Sequence, residues 1–550
     1  MKSSNSAFFC FLPNTSKVTL QVSFYKKQVL KQFFNFYSHF NFHSFLGTLF
    51  IFICISLPSN AQSPNILLII ADDVGVGEIP NYLPDATKAN MPHLKSLMDT
   101  GLTFDNVWSN PLCAPSRANI LTGKHGFRTN VLNAESLATL DIEETSLHEY
   151  IDQTSNGSYS SSLIGKWHLG GGSNNNPIYD YPNELGIEYF AGILGGGVGN
   201  YENYTWVENE QGASSTEYIT TKITNTAINW IGEQNQPWFC WLAYNAPHTP
   251  IHLPPTNLHT QGDLPTDDAS IEANPQPYFL AMVESVDTEM GRLLESIPAS
   301  ELENTIVIFV GDNGTSGGVI QAPYPSARAK GSLYQGGVHV PMVVSGAGVT
   351  RQNEREEALV SFSDLFATIV ELTGTSLSQI HDSYSFADLL SSQGEGQRDC
   401  NYTEISSNAN ASGWAARDAT FKYISFDNGN QRFYNLIDDP YESNNLFPNL
   451  NNLQQASFDK LSKVREVFTS IEEPATNTQS LSIFPNPVQK TLYLNWQNPK
   501  QESFVIFDLS GKVLQSGDLI FGKNTLSIEG LQTGMYFIEV GGVRKKFVKY

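Results

Sequence analysis

The sequence of 550 residues predicts an α/β fold with a mostly parallel central sheet flanked by helices. Short apolar runs that are β-branched or aromatic, and bounded by turn residues, are typical of buried strands. The predicted strands are Asn65 to Ile70, Pro237 to Ala243, Thr305 to Val310 and Val338 to Val344. Helical segments lie between them, and this alternation favours parallel pairing because parallel strands need a long crossover connection.

Two helices are predicted from apolar spacing. The first carries apolar residues three and four positions apart: Phe279, Val283, Val286, Met290, Leu293 and Ile297. The second runs from Ser363 to Leu372 and is closed by Gly374, a residue type suited to the turn after a helix. The α/β pattern therefore begins at residue 64 and continues to about residue 375.

The chain is longer than one hydrophobic core usually serves, so several folded units are expected. After the α/β region, residues 473–480 form a polar linker, and strand-sized alternations separated by Gly and Asn predict a small β-sandwich domain at 481–550. A carbohydrate-binding β-sandwich is one interpretation of this tail. About seventy residues make a thin binding module, which weighs against it.

The first 62 residues predict a secretory leader. Residues 45–57 form an apolar stretch as long as a signal-peptide core, and small residues suited to cleavage follow at 58–62. The stretch is too short to span a bilayer comfortably. A membrane anchor is the alternative, because the flanking lysines fit both cases.

The charge distribution excludes one class of partner. The net charge is −23, although residues 1–62 carry five lysines and no acid, so the excess of acid lies in the remainder. Nucleic acid is therefore not expected as a partner. An anionic substrate would have to be attracted by a local cluster of cations and metal against the overall field.

Three cysteines remain beyond the leader, too few for a disulfide framework. Cys240 lies in an apolar run at 238–242 and is expected to be a packed, inert thiol. Cys113 begins the motif Cys-Ala-Pro-Ser-Arg at 113–117. Because proline suits a first helical turn, Cys113 is predicted to lie near a helix N-terminus, where exposed amides stabilise an anionic oxygen.

Acidic and amide residues follow two predicted strands directly. Asp72 and Asp73 follow the first strand, and Asp312 and Asn313 follow the third. Ligands gather at the carboxyl ends of parallel strands, and an all-oxygen set suits Ca²⁺ or Mg²⁺. A thiolate beside so hard an ion is chemically odd, but the oddity disappears if Cys113 is oxidised to formylglycine, whose hydrate supplies oxygens.

The motif at 113–117, followed by Leu-Thr-Gly at 121–123, resembles the maturation motif of type I sulfatases, which depend on formylglycine and belong to the alkaline phosphatase superfamily. Further similar stretches occur in the expected order at 165–170, 246–250, 330–337 and 417–442. The resemblance covers roughly residues 64–470. It implies an alkaline phosphatase-like catalytic domain at 64–375, a smaller α+β subdomain at 376–472, and the activity of a sulfuric ester hydrolase.

The resemblance also implies site residues. The ligands of one Ca²⁺ would be Asp72, Asp73, Cys113 as 3-oxoalanine, Asp312 and Asn313. The other catalytic residues would be Arg117, Lys166, His168, His248 and Lys330. One hydroxyl of the formylglycine hydrate would attack sulfur, and Arg117 would stabilise the hydrate. Lys166 and Lys330 would stabilise the negative charge that develops on the sulfate oxygens. His248 would protonate the leaving oxygen and His168 would serve the hydrate.

Some residues depart from the family pattern or lie outside it. Gln335 stands where many relatives carry Glu, and His339 where many carry Arg; both are expected to alter the pocket without removing activity. Five residues have no support from the resemblance and are expected to be surface or core residues: Arg128, Trp206, Trp414, His252 and His339.

The tail at 481–550 resembles the C-terminal sorting domain of the type IX secretion system, through its Phe-Pro-Asn-Pro start, Asp-Leu-Ser-Gly-Lys segment, Gly-Met-Tyr strand and terminal lysines. This resemblance implies a secreted or cell-surface protein that passes through the type IX machinery. The convertible Cys113 likewise implies a formylglycine-generating maturation enzyme as a partner.

The sequence therefore predicts a secreted sulfatase that acts on sulfated carbohydrates, with marine algal ulvan, carrageenan or fucoidan favoured because an acidic surface suits saline habitats. Glycosaminoglycans remain an alternative substrate. Gly- and Asn-rich loops at 170–176 and 195–200 are suited to an open cleft. The alternative functions are a phosphate or phosphonate ester hydrolase of the same superfamily, and a non-catalytic glycan-binding surface protein.

Overall fold

The computed structural model describes residues 63–470, apart from 135–137, 174–175, 376, 378 and 408–410, and residues 481–549, apart from 485–487, 489, 497–501, 509–511, 520–521 and 542. The predicted leader at 1–62 and the predicted linker at 473–480 lie outside the described residues. Over the ranges just given, no helix has both the length and the apolar character to cross a membrane.

A ten-stranded mixed sheet forms the centre of the molecule. From one edge to the other, its strands are Glu354–Ser361, Gly101–Trp108, Met342–Gly346, Thr305–Gly311, Asn65–Ala71, Trp238–Ala243, Ser160–Lys166, Tyr189–Ile193, Tyr204–Glu208 and Gln211–Ser215. Five of the nine neighbouring pairs are parallel, and four of these join the middle strands from Thr305–Gly311 to Tyr189–Ile193. The predicted α/β class is confirmed, with a parallel centre and antiparallel pairs towards both edges.

Burial on both faces explains the continuous apolar runs of the middle strands. All seven residues of Asn65–Ala71 are buried. Ile66, Leu68 and Ile70 face one apolar cluster, while Leu67 and Ile69 face another on the opposite side of the sheet. A strand covered by helices on both sides has no polar face, so its sequence shows no alternation.

Helices cover both faces. One face packs the helices Cys113–Thr122, Leu147–Ser155 and Asp364–Leu372, and the other packs Pro92–Thr100, Ile219–Gly232 and Gln276–Ser296. Shorter helices are Gly126–Thr129, Tyr181–Glu184, Asp268–Ala273, Ala299–Leu302 and Gln335–Val338, and 3₁₀ turns occur at Thr256–Leu258, Ser326–Arg328 and Ala387–Leu390. Two-stranded pairs join Gly172–Ser173 to Asn176–Pro177 and Gln379–Ile380 to Ser383–Tyr384.

The predicted strand from Val338 to Val344 is wrong in its start. Val338 ends the helical turn Gln335–Val338, and the strand begins only at Met342. It runs antiparallel to both of its neighbours. Apolar composition alone did not separate a buried helical turn from a buried strand, because both are fully covered here.

A four-stranded antiparallel sheet follows the central sheet in the chain, with strands Asn401–Ile405, Gly413–Arg417, Phe421–Phe426 and Gln431–Asn435. The helices Asn452–Leu461 and Val464–Ser470 come next. Aromatic side chains hold them together, since Phe458 contacts both Tyr423 and Phe433 edge-on.

Residues 481–549 form two small antiparallel sheets. One contains Leu481–Phe484, Thr491–Trp496 and Gly522–Ser527; the other contains Glu502–Asp508, Val513–Leu519, Gly534–Val540 and Val543–Lys549. Leu492, Leu494 and Trp496 of the first sheet share an apolar cluster with Phe504 and Ile538 of the second. The tail is thus two sheets with a common core.

Candidate active site

The candidate site lies where two adjacent parallel strands end. Ala71 and Gly311 are partners in the register of these strands, so the residues after them emerge at the same level. The backbone N–H of Asp73 donates to Oδ1 of Asp312 at 3.0 Å, and Nδ2 of Asn313 donates to Oδ1 of Asp73 at 2.9 Å. The four residues predicted from the strand ends are therefore brought together, and all four are buried.

Cys113 reaches this cluster from the first turn of the helix Cys113–Thr122. All ten residues of that helix are buried, and Gly123 ends it in the left-handed conformation with φ 68°. The predicted position of Cys113 at a helix N-terminus is what the structure contains. One ligand atom each from Cys113, Asp72 and Asp312 lie within 4.8 Å of one another.

Two buried oxygens in the cluster favour a bound cation. Oδ1 of Asp72 and Oδ1 of Asn313 have no hydrogen-bond partner in the part of the chain that the structure describes. An unpaired buried polar atom costs about 1–3 kcal/mol, so such atoms usually have a ligand or water. Carboxylate and amide oxygens are the ligands of Ca²⁺ and Mg²⁺. The donor set fits a hard divalent cation, and an oxygen at position 113 would fit it better than sulfur.

Three cations surround the three carboxylates. Lys166 Nζ lies 2.5 Å from Oδ2 of Asp72, and Lys330 Nζ lies 2.5 Å from Oδ1 of Asp73. Nη2 of Arg117 donates to Oδ2 of Asp312 at 2.8 Å. The charges of these six side chains cancel, so a divalent cation added to the cluster would leave a local excess of about two positive charges.

Arg117 also ties the helix to a neighbouring strand. Its Nη1 donates to the backbone oxygen of Lys166 at 2.9 Å, and its side chain is 1% exposed. Lys330 differs, because its side chain is 17% exposed. Of the three cations, Lys330 is therefore the one that can reach a group arriving from solvent.

The two predicted histidines lie on either side of the cluster. Nδ1 of His168 is 3.3 Å from Sγ of Cys113, and the backbone N–H of His168 donates to Leu194 O at 3.1 Å. Nδ1 of His248 is 2.9 Å from Thr249 O. Because a carbonyl only accepts, His248 carries its proton on Nδ1 when neutral, which leaves Nε2 able to exchange a proton with another molecule.

Burial and positive neighbours set the protonation of these imidazoles. Burial lowers the pKa of His248 to about 4, and the positive charge of Lys166 is the second cause. The same two causes, in the same order, hold the pKa of His168 well below its ordinary value. Both rings are therefore neutral near pH 7 while no anion is present. A bound sulfate group would oppose the effect of Lys166 and raise these pKa values.

The carboxyl groups differ among themselves. Burial, followed by the charge of Asp72, raises the pKa of Asp312 to about 6, although Arg117 opposes this. For Asp73, burial would raise the pKa, but Lys330 and His248 more than offset it and the pKa is lowered. Burial also raises the pKa of the Cys113 thiol, against Lys166 and Lys330. Unmodified Cys113 is therefore a neutral thiol at pH 7 and a poor nucleophile.

The sequence interpretation missed Asn245. This residue is 1% exposed, and neither Nδ2 nor Oδ1 of its side chain has a hydrogen-bond partner among the described residues. It lies on the turn that carries His248, since the His248 N–H donates to Asn245 O at 2.9 Å. The available signal was its place as the second residue after the strand Trp238–Ala243, the position that Asp73 has after the strand Asn65–Ala71.

Gln335 and His339 do not support the expectation that they alter the pocket. Oε1 of Gln335 accepts from Nε1 of Trp108 at 2.9 Å, and Nε2 of His339 lies 2.8 Å from Asp105 O. Both contacts join the helical turn Gln335–Val338 and its neighbour to the strand Gly101–Trp108. Their side chains hold the fold together behind the cluster.

The residues without family support, His339 among them, have packing roles. Arg128 pairs with Asp382 at 2.9 Å, and Nε2 of His252 lies 3.0 Å from the hydroxyl of Tyr218. Trp206 and Trp414 are buried. These contacts agree with the surface or core roles expected from the sequence.

Comparison with protein families matches two parts of the chain. Residues 64–375 match the model of the sulfatase family, and residues 482–550 match the secretion system C-terminal sorting domain.

Relatives with curated descriptions include sulfatases of different organisms. An uncharacterized sulfatase of Escherichia coli strain K12 is 28% identical over 455 residues, which cover 73% of this chain and 77% of that protein. Arylsulfatase G of Rattus norvegicus is 26% identical over 388 residues, covering 60% of this chain and 70% of the relative. Human N-acetylgalactosamine-6-sulfatase is 28% identical over 351 residues, covering 57% and 62%.

Similar solved structures share the fold at low identity. Ps i-CgsB in complex with k-i-k-neocarrahexaose superposes with a TM-score of 0.62 at 22% identity, covering 75% of this chain and 94% of that one. A protein in complex with its substrate D-glucosamine-2-N,6-O-disulfate superposes with a TM-score of 0.60 at 20% identity, covering 76% of this chain and 100% of that one. The PsFucS1 sulfatase from Pseudoalteromonas sp. superposes with a TM-score of 0.59 at 19% identity, covering 76% of this chain and 92% of that one.

Proposed function

The chain belongs to the sulfatase family and ends in a type IX sorting domain, and from this premise we propose that it removes sulfate from polysaccharides or oligosaccharides outside the cell. The observation that carries the proposal is the meeting of Cys113 with Asp72, Asp312 and Nδ1 of His168, in a cluster where Asp72 and Asn313 each have a buried oxygen without a partner among the described residues. When present, the divalent cation would bind sulfate oxygens, and formylglycine at position 113 would supply an oxygen nucleophile.

Charge explains how an acidic protein would attract an anion. The carboxylates and cations of the site cancel, so the bound divalent ion would give the site a positive potential despite the net charge of −23. Lys330, the partly exposed cation, would contact the sulfate first. Lys166 is fully buried against Asp72 and would stabilise charge deeper in the site.

The remaining residues would place and move protons. Arg117 is held between Asp312 and the backbone of Lys166, and from there it would orient the group at position 113. His168, with Nδ1 towards position 113, would exchange a proton with that group. His248, with Nε2 open, would protonate the departing sugar oxygen once the sulfate anion has raised its pKa.

The substrate we propose is a sulfated polysaccharide of marine algae, of the ulvan, carrageenan or fucoidan type. Export to the cell surface or beyond suits a polymer met outside the cell, and the acidic composition suits saline surroundings. A neighbour in fold was solved with a neocarrahexaose and another with a glucosamine disulfate. Glycosaminoglycans are therefore the substrate class to test beside algal glycans. The leader at 1–62 is proposed to be a signal peptide.

Mass spectrometry and activity together test the proposal. A peptide spanning Cys113 from active protein should contain an aldehyde in place of the thiol. The protein should hydrolyse 4-nitrophenyl sulfate far faster than 4-nitrophenyl phosphate, and defined sulfated oligosaccharides would then identify the sugar. Cys113→Ala should abolish activity, while Cys400→Ala, which removes a free and half-buried thiol elsewhere, should retain it.

Three results would contradict the proposal. A preference for phosphate would favour a phosphate or phosphonate ester hydrolase. Binding of sulfated glycans without turnover would favour a non-catalytic surface protein. Full activity with an unmodified Cys113 would exclude the proposed nucleophile.

A further inference from the structure

Residues 194–201, which we call the glycine strap, connect the strand Tyr189–Ile193 to the next part of the sheet. Four of the eight residues are glycines, namely Gly195, Gly196, Gly197 and Gly199. The strand before the strap runs parallel to Ser160–Lys166. Both strands therefore release the chain at the same edge of the sheet, the edge that carries the active site.

The strap is attached at each end to a segment that carries one of the two histidines. At its start, Leu194 O accepts the backbone N–H of His168 at 3.1 Å. At its end, the hydroxyl of Tyr201 lies 2.6 Å from His248 O and 3.0 Å from Asn245 O. Tyr201 is 3% exposed, so water does not compete freely for these contacts.

Between its ends the strap lies against both imidazole rings. A Cβ atom placed on Gly196 would lie 2.4 Å from Cε1 and Nε2 of His168. The strap therefore lies at the Nε2 end of this ring, whereas its other nitrogen, Nδ1, faces Cys113. A Cβ atom on Gly197 would lie 3.0 Å from Nδ1 and 3.1 Å from Cε1 of His248.

Space, rather than backbone conformation, explains Gly196 and Gly197. None of the four glycines of the strap has φ in the left-handed region. Alanine could therefore adopt the backbone of Gly196, but its methyl group would overlap the ring of His168. At Gly199, by contrast, an added Cβ has no atom within 4 Å.

We propose that the glycine strap is a positioning element that fixes His168 and His248 relative to each other and to position 113, with Gly196, Gly197 and Tyr201 as its positioning residues. This inference rests on the proposed sulfatase mechanism. Backbone packed at the Nε2 end of the His168 ring leaves Nδ1 towards position 113. On the outer side, the exposed Gly195 and Gly197 leave room for the leaving sugar beside His248.

Positioning has a measurable signature in the dependence of rate on the leaving group. A general acid matters most when the departing oxygen is a poor leaving group, and a misplacement of roughly 1 Å can cost about 100-fold in rate. Disturbance of His248 should therefore slow sugar and alkyl sulfates more than nitrophenyl sulfate. Disturbance of His168, which faces position 113, should slow all sulfate esters alike.

Three glycine variants in one segment provide the test. Gly197→Ala should lower kcat on sulfated sugars by about 10-fold or more, with a smaller loss on 4-nitrophenyl sulfate. Gly196→Ala should lower kcat on every ester by a similar factor of about 100. Gly199→Ala is the matched control and should behave as wild type. Calorimetry on each variant records whether the fold is retained.

A tyrosine pair keeps the proposal testable even if the alanine variants do not fold. Tyr201→Phe removes one hydroxyl and should lower kcat on sulfated sugars more than on nitrophenyl sulfate, with KM little changed. Tyr204, three residues after Tyr201, is the matched control, and its hydroxyl donates to Glu217 O at 2.8 Å. Tyr204→Phe removes this hydroxyl and should leave the dependence of rate on the leaving group unchanged.

The outcomes separate this inference from the proposed function. If Gly196→Ala and Gly197→Ala match Gly199→Ala, or if Tyr201→Phe lowers only the unfolding temperature, the strap is a structural loop and the inference is overturned. If the wild-type protein, with aldehyde verified at position 113, hydrolyses no sulfate ester, the proposed function itself fails.

Discussion

Two buried arginine–aspartate pairs in this protein have the same chemistry and different surroundings. At the candidate site, Arg117 donates to Asp312 at 2.8 Å. Elsewhere, Nη2 of Arg398 donates to Oδ1 of Asp364 at 2.6 Å, and both side chains are at most 3% exposed. Burial and charge alone therefore do not distinguish a reactive site from a structural one.

The difference lies in what remains unpaired. The oxygens of Asp364 also accept the backbone N–H groups of Ser361 and Tyr384, each at 2.8 Å, so that cluster is complete without a ligand. Around Arg117, three carboxylates crowd together, and Asp72 and Asn313 each retain an open oxygen. A polar cluster that the protein leaves incomplete indicates a ligand, whereas a complete one indicates a role in stability.

The largest effect expected from this difference is on activity. Asp73→Asn should lower kcat/KM by about 1000-fold, or about 4 kcal/mol of transition-state stabilisation, because the metal ligand proposed at this position loses its charge. Lys330, its partner, is partly exposed, so water can solvate the freed ammonium and the fold should survive. Steady-state kinetics and calorimetry with and without Ca²⁺ would check this. Calcium that still raises the unfolding temperature of the variant as much as in wild type would contradict the assignment.

The same substitution in the complete cluster should affect stability instead. Asp364→Asn leaves the buried Arg398 without a counter-charge and should lower the unfolding free energy by about 3–5 kcal/mol. The activity of the molecules that remain folded should be near that of wild type. Urea unfolding, together with kinetics normalised to the folded fraction, measures both. A specific loss of kcat in folded Asp364→Asn protein would remove the distinction between the two clusters.

A buried histidine far from the site should make stability depend on pH. Burial lowers the pKa of His148 to about 4, although the Ser162 carbonyl opposes this. Between about pH 6.5 and 4, the unfolded chain binds the proton and the folded chain does not, so acidification destabilises the fold.

The loss from His148 should reach at most about 3 kcal/mol near pH 4. His148→Phe should flatten the fall of unfolding free energy with acidification by that amount, because the other buried histidines contribute equally to both proteins. Urea unfolding at several pH values would check it. If the unfolding free energies of the two proteins fell equally with acidification, His148 would bind its proton as readily in the folded chain as in the unfolded chain, which would contradict the prediction.

The smallest effect is expected from two buried asparagines. Asn401 donates through Nδ2 to Val360 O at 3.1 Å and to Asn106 O at 3.2 Å, so Asn401→Ala should cost about 1–3 kcal/mol. The Asn245 side chain has no hydrogen-bond partner within the part of the chain that the structure describes, so Asn245→Ala should change the unfolding free energy by no more than about 0.5 kcal/mol. It should instead lower kcat. Equal destabilisation by both variants would mean that Asn245 is a structural residue.

The sequence predicted the parts of this protein that depend on local pattern. The buried middle strands were visible as apolar runs, and the acids after them could be placed together because neighbouring parallel strands end at one edge. Cys113 could be assigned to a helix start because Pro115 follows it in the first turn. Local pattern does not give the direction of Met342–Gly346, which is fixed by pairing with residues far away in the chain.

Contacts between loops that are distant in the chain were the other feature that the sequence did not predict. Gly196 meets His168 only because Tyr189–Ile193 pairs with Ser160–Lys166, and no property of a glycine run indicates what lies against it. In the loop at 195–200, Gly196 and Gly197 lie against two imidazoles, which the sequence did not indicate, and the open cleft expected there stays a prediction. Asn245 was missed because an uncharged amide at a strand end is most often a turn residue.

If Cys113 is oxidised as proposed, the burial of the helix Cys113–Thr122 would also fix the order of events during biogenesis. Cys113 is 1% exposed, and its helix is covered along its whole length. An enzyme that oxidises this sulfur can approach it only while the chain is unfolded, during or soon after synthesis. A molecule that folds first would keep its thiol and be exported inactive. The fraction of active protein would then depend on the rate of oxidation relative to the rate of folding.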